Sequence, residues 1–258
     1  MERLPLELKK DDTNLWYINN LFVFDQLNLD KREFKLETKH FNTFYRIPST
    51  NDYIIKCSNS IFTKKAENKI KEMLMNLLTI GRKITSIDFP IGYYQEDDYL
   101  RGLIIRYYEN SPSLYDLSKN YPLEELFNYY QYDNNLIHNL FMLFHDVLDL
   151  IEEMCDNNIL YTDISYSNIL LYKNKPKLID FDYRFVHFNN QKKYFNVSDF
   201  ITRMSFDDYF KMVITNYFRT IREILEAYGF NNFVSIEHNN FNEARSYVKI
   251  LENRVRGK

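Results

Sequence analysis

Apolar positions recur along this chain with two different periods, and the period changes where the organisation changes. Phe34 to Leu36, Phe44 to Ile47 and Tyr53 to Cys57 have the aromatic and β-branched make-up of short strands. The last two are split by the turn cluster Pro48-Ser49-Thr50-Asn51-Asp52. Over residues 64–80 the spacing becomes helical, with Ile70, Met73, Leu74, Leu77 and Leu78 on one stripe. Two more strands are expected at Ile84–Tyr94 and Tyr99–Tyr107, joined by the acidic turn Gln95-Glu96-Asp97-Asp98. From Ser111 onward the helical period dominates. Leu136, Leu140, Leu143, Phe144, Val147, Leu148, Ile151 and Met154 predict a long buried helix over 134–156, stopped by Asp156-Asn157-Asn158. Short strands are expected at 158–160, 169–171 and 177–179, and helices near 206–227 and 237–254. A polar and aromatic lead-in, with a short helix expected around Thr13 to Phe22, precedes all of these. The pattern predicts an α+β chain: an extension over 1–31, a small β-rich lobe over 32–108, and a larger α-helical lobe over 109–258.

Composition narrows the function classes. At 258 residues the chain has room for one large domain or two lobes. A net charge of −3 gives no electrostatic case for nucleic acid or an anionic membrane surface. No apolar run approaches the ~18 residues of a membrane span, and Met1 to Pro5 lacks the charged and apolar regions of a signal peptide. Cys57 and Cys155 are far apart in sequence and match no zinc spacing, so a reduced, cytoplasmic protein is expected. The 22 Tyr and 21 Phe spread over the whole chain and so do not mark a base-stacking surface.

The chemistry concentrates in Tyr161-Thr162-Asp163-Ile164-Ser165-Tyr166-Ser167-Asn168 and in Leu178-Ile179-Asp180-Phe181-Asp182. An Asp, an Asn five residues on, and a second Asp sit at the ends of short apolar strands. Such oxygens suit a hard cation, and such a carboxylate suits a hydroxyl nucleophile that needs a base. Read singly, each is ordinary turn chemistry.

Together with three further segments, this stretch resembles the eukaryotic-like protein kinase superfamily, including its bacterial and minimal members, over roughly residues 34–226. The catalytic-loop pattern H-R-D-L-K-P-x-N aligns without a gap on Tyr161 to Asn168. D-F-G aligns on Asp180-Phe181-Asp182, and V-A-I-K on Tyr53-Ile54-Ile55-Lys56. The hinge pattern resembles Tyr107 to Leu114. The resemblance implies a bilobal kinase-like fold binding ATP and Mg2+. It makes Asp163 the catalytic base, Asn168 and Asp180 the metal ligands, and Lys56 the contact to the α and β phosphates. Glu67, preferred over Glu72 because it lies on the apolar stripe of its helix, would hold Lys56. Ile105, Tyr107 and Tyr108 would border the nucleotide. Tyr161 and Phe181 would pack beneath the site, and Asp207 or Asp208 would brace the catalytic loop. The implied acceptor is a protein Ser/Thr hydroxyl. The alternatives are a small-molecule acceptor, as in aminoglycoside and choline kinases, and a pseudokinase that binds without turnover.

Several positions depart from the family. Its glycine hairpin resembles Leu36 to Tyr45, but Glu37, Lys39 and Asn42 stand at the glycine positions, which hinders close approach of backbone N–H groups to phosphates. The expectation is then either weaker nucleotide binding or Lys39 reaching the phosphates itself as a substitute ligand. Thr162 replaces an arginine, and Asp182 replaces a glycine. Ser165 replaces a lysine, removing a charge that Arg184 or Lys193 could supply.

Overall fold

The structure, a computed structural model, describes residues 15–18, 21–25, 35–39, 42–47, 50–58, 62–81, 84, 87–96, 99–127, 135–173, 175–188, 194–195, 204–231, 233 and 238–257. The chain is mixed α+β, with a sheet toward its start and helices toward its end, and divides into two units, Met1–Glu109 and Asn110–Lys258.

In the first unit the short apolar runs become strands β1 (Leu15–Ile18), β2 (Leu21–Asp25), β3 (Lys35–Lys39), β4 (Asn42–Ile47) and β5 (Thr50–Ser58). Helix α1 (Lys64–Gly81) follows, then β6 (Gly92–Glu96) and β7 (Tyr99–Arg106). They form one sheet in the order β1-β2-β6-β7-β5-β4-β3. Neighbours are antiparallel except β2 and β6, which are parallel. The period of two along β5 sorts its side chains. Tyr53, Ile55 and Cys57 join Ile47, Tyr94 and Ile104 in a buried cluster, which leaves Ile54 and Lys56 to the opposite face. In α1 the expected stripe is buried through Ile70, Met73, Leu74 and Leu77.

Two expectations are corrected here. The helix around Thr13 to Phe22 is instead the antiparallel pair β1–β2. Leu-Trp-Tyr-Ile and Leu-Phe-Val-Phe are rich in aromatic and β-branched residues that fit a pleated surface, and two asparagines separate them. The strand expected from Ile84 begins only at Gly92; Pro90, which has no N–H for a ladder, lies just ahead of it.

The second unit is built on α4 (Leu136–Asp156), whose apolar face is buried from Leu140 to Met154. Short helices α2 (Leu114–Leu117) and α3 (Leu123–Phe127) precede it. After it come β8 (Ile159–Tyr161), a single 3-10 turn Tyr166–Asn168, β9 (Ile169–Tyr172), β10 (Lys175–Leu178) and β11 (Val186–Phe188). Strands β12 (Tyr194–Phe195) and β13 (Met204–Ser205) lead into α5 (Phe206–Ala227) and α6 (Phe241–Arg256). β9 pairs with β10 and β8 with β11, both antiparallel. Helix α6 is tied to α4 by Arg245, which bonds Asp149 at 2.6 Å and also Glu152. Side chains cap the helix starts. Asn135 accepts from His138 N, and Ser205 from Asp208 N. Among the described residues no helix is long and apolar enough to cross a membrane.

Candidate functional site

Two antiparallel strand pairs bring the polar residues of the second unit together. β8 delivers Tyr161, and the chain then turns through Asp163 and the 3-10 turn into β9; β10 returns and delivers Asp180. Asn168 joins the two ends. Its backbone carbonyl accepts from Ile179 N at 2.8 Å. Its side-chain nitrogen donates to the Asp163 carbonyl at 3.0 Å, to Asp163 Oδ2 at 3.1 Å and to the Tyr161 hydroxyl at 3.3 Å. Turning the amide over would set its oxygen against a carbonyl and a carboxylate, so the network fixes which end is nitrogen. All three of these bonds use the amide nitrogen.

Tyr161 is the second tie. Its ring is buried against Phe181 with centroids 5.5 Å apart, and its hydroxyl donates to the Asp180 carbonyl at 2.9 Å. Burial, then the charges of Asp163 and Asp180, push that hydroxyl well above the ordinary tyrosine range, so it stays a neutral donor. Asp180 itself takes a left-handed backbone conformation, φ 67°. For a non-glycine residue this costs on the order of 1–3 kcal/mol and tends to occur at functional positions. Asp163, Asn168 and Asp180 are thus one connected group.

The loop is braced from below by Tyr209 of α5, whose hydroxyl accepts from Tyr161 N at 2.9 Å and donates to Tyr161 O at 3.1 Å. This corrects the expectation for Asp207 or Asp208. Both are exposed, and Asp208 is engaged with Ser205 in capping α5. A bracing tyrosine leaves no sequence signal, because its two partners are backbone atoms 48 residues away.

On the other side of the loop, Thr162 N donates to Phe185 O at 2.9 Å. The Asp182–Phe185 turn closes through Phe185 N to Asp182 O, also 2.9 Å. Asp182 grips Arg184 through its backbone N–H, its Nε and its Nη2, the last at 2.5 Å. That hydrogen bonding, more than burial opposes it, raises the arginine further above its already high value. Lys193, the other cation considered, lies outside the described residues.

In the first unit Lys56 lies on β5 opposite Phe44 and Leu103, and Ile54 lies opposite Ile105, so these residues share a face. Gly102 allows β7 to approach there: a Cβ on it would stand 2.5 Å from Lys56 O. Glu67 is 0% exposed, whereas Glu72 is exposed. Glu67 Oε1 accepts from Leu100 N at 2.9 Å, and Lys64 Nζ is 2.9 Å from Oε2. Burial pushes this carboxyl up, but Lys64 and the Leu100 amide together outweigh it and hold it below the usual glutamate value. Lys39 ends β3, paired with Asn42. Tyr107 N donates to Asp52 O at 2.8 Å. Tyr108 is 7% exposed and its hydroxyl donates to Asp88, which places its side chain in the packing of this unit.

No protein-family model matches the chain, and no curated protein matches it.

Proposed function

We propose that this protein is an ATP-dependent phosphotransferase that moves the γ-phosphate to a hydroxyl, with a protein Ser/Thr side chain as acceptor and with its two units read as the lobes of a kinase-like fold. The observation that carries the reading is the Asn168 clamp. It spends the amide nitrogen on Asp163 and Tyr161, whose hydroxyl in turn holds the backbone of Asp180, a residue with a left-handed φ. An amide oxygen and a carboxylate are a donor set for a hard divalent cation, with phosphate and water oxygens completing the shell. Magnesium bound there supplies charge neutralisation to the phosphates.

In this reading Asp163 accepts the acceptor's proton as its oxygen bonds to the γ-phosphorus. The bond from that phosphorus to the β-phosphate oxygen breaks, and its electron pair leaves on ADP. Lys56 serves the α and β phosphates as a point charge. Glu37 and Lys39, where short residues would admit a phosphate, favour a second reading in which nucleotide is bound without transfer.

The test is incubation of the purified chain with magnesium and γ-labelled ATP, in parallel with a generic protein acceptor, an aminoglycoside and choline. Label is expected on protein. Asp163→Asn is expected to cut transfer by about 10²–10⁴-fold with ATP binding retained. Label on a small acceptor alone moves the substrate class. ATP binding with no transfer to any acceptor supports the second reading, and undiminished transfer by the Asp163 variant removes the assigned base.

A further inference from the structure

Transfer of a phosphoryl group gathers negative charge at the γ-phosphate, and catalysis depends on cations and N–H donors fixed there beforehand. The loop from Asp163 to Asn168 carries no cationic side chain: its inner residues are Ile164, Ser165, Tyr166 and Ser167, and the Ser165 and Ser167 hydroxyls bond each other at 2.9 Å. A cation oriented by a carboxylate belongs to the turn clamped onto this loop. Thr162, the neighbour of Asp163, holds that turn through Phe185 O with both its N–H and its hydroxyl, at 2.9 and 3.3 Å. The turn begins two residues after Asp180. Asp182 takes the Nε and Nη2 edge of Arg184, so the planar guanidinium is set in one orientation. Nη1 has no partner among the described residues, and the side chain is 63% exposed. An ion pair this open to solvent adds little to folding, so stability gives little reason for it. What it achieves is local: the Asp182 charge, which would repel a triphosphate, is neutralised, and a guanidinium that also lies over the Phe185 ring keeps N–H donors exposed to solvent.

We propose that Arg184 binds the γ-phosphate of ATP and neutralises it during transfer, with Asp182 as the positioning residue that holds the guanidinium edge-on. This rests on the phosphotransferase reading above. Arg184 neither takes nor gives a proton; it donates hydrogen bonds to phosphoryl oxygens while Asp163 takes the acceptor's proton and ADP leaves with the broken bond's electron pair.

Calorimetric titration of the full chain with Mg-ATP and with Mg-ADP decides it. Arg184→Gln is expected to weaken Mg-ATP by about 10–100-fold, the loss of one charged hydrogen-bond donor set, and Mg-ADP by about twofold or less. Asp182→Asn is expected to erode the same preference for ATP, and Arg184→Lys to keep part of it. Adding Ser165→Lys to Arg184→Gln is expected to restore it. If Arg184→Gln discriminates ATP from ADP as the wild type does, the proposal is overturned while the nucleotide reading stands. Equal weakening of both nucleotides also overturns it, leaving Arg184 a structural role. A wild-type chain that binds neither nucleotide overturns both readings together.

Discussion

Tyr161 carries more of the site than any acidic residue in it. Its backbone is held by Tyr209, its ring by Phe181, and its hydroxyl joins Asn168 to Asp180. Tyr209→Phe would leave a buried N–H and a buried C=O of Tyr161 without their partner, at a cost of roughly 1–3 kcal/mol for an unsatisfied group. Chemical denaturation should show this loss. Unchanged stability would mean that the strand finds its hydrogen bonds elsewhere. At this scale the sequence was legible only in part. Asp163, Asn168 and Asp180 are visible because their spacing along the chain is fixed by short strands. Tyr209 and the Asp182–Arg184 grip are not, because they depend on which backbone atoms folding leaves nearby.

Helix α1 and strand β7 are fastened by one buried carboxylate. Glu67 accepts from Leu100 N in the sheet while Lys64 covers its other oxygen from solvent. Its folded pKa lies below the ordinary 4.5. A depressed carboxyl contributes stability that is fully present above the unfolded value and is lost as the pH falls through the folded value. Unfolding followed against pH should therefore show an acid limb below about pH 4.5 that Glu67→Gln flattens. An identical limb in the variant would assign it to other carboxylates. The elements themselves were largely readable. Eight apolar positions at helical spacing mark α4, and the stripe from Ile70 to Leu77 marks α1. β1 and β2 escaped because four- and five-residue runs are too short for periodicity to separate strand from helix.

For the chain as a whole, nucleotide binding should register as heat stability. A ligand that binds only the folded state raises its stability by about 2.7 kcal/mol at one hundred times its Kd. Mg-ATP is expected to raise the melting temperature, chelation of magnesium to remove the gain, and Lys56→Met to diminish it. A melting curve indifferent to Mg-ATP at millimolar concentration would count against a nucleotide site. The parallel pairing of β2 with β6 has a practical corollary. Trimming the chain to start near residue 32, where a lead-in would conventionally be cut, removes the partner of β6 and bares its row of N–H and C=O groups. Unshielded borders of this kind recruit other chains, so such a shortened protein is liable to aggregate, and failed expression of it would say nothing about whether the complete chain handles nucleotides.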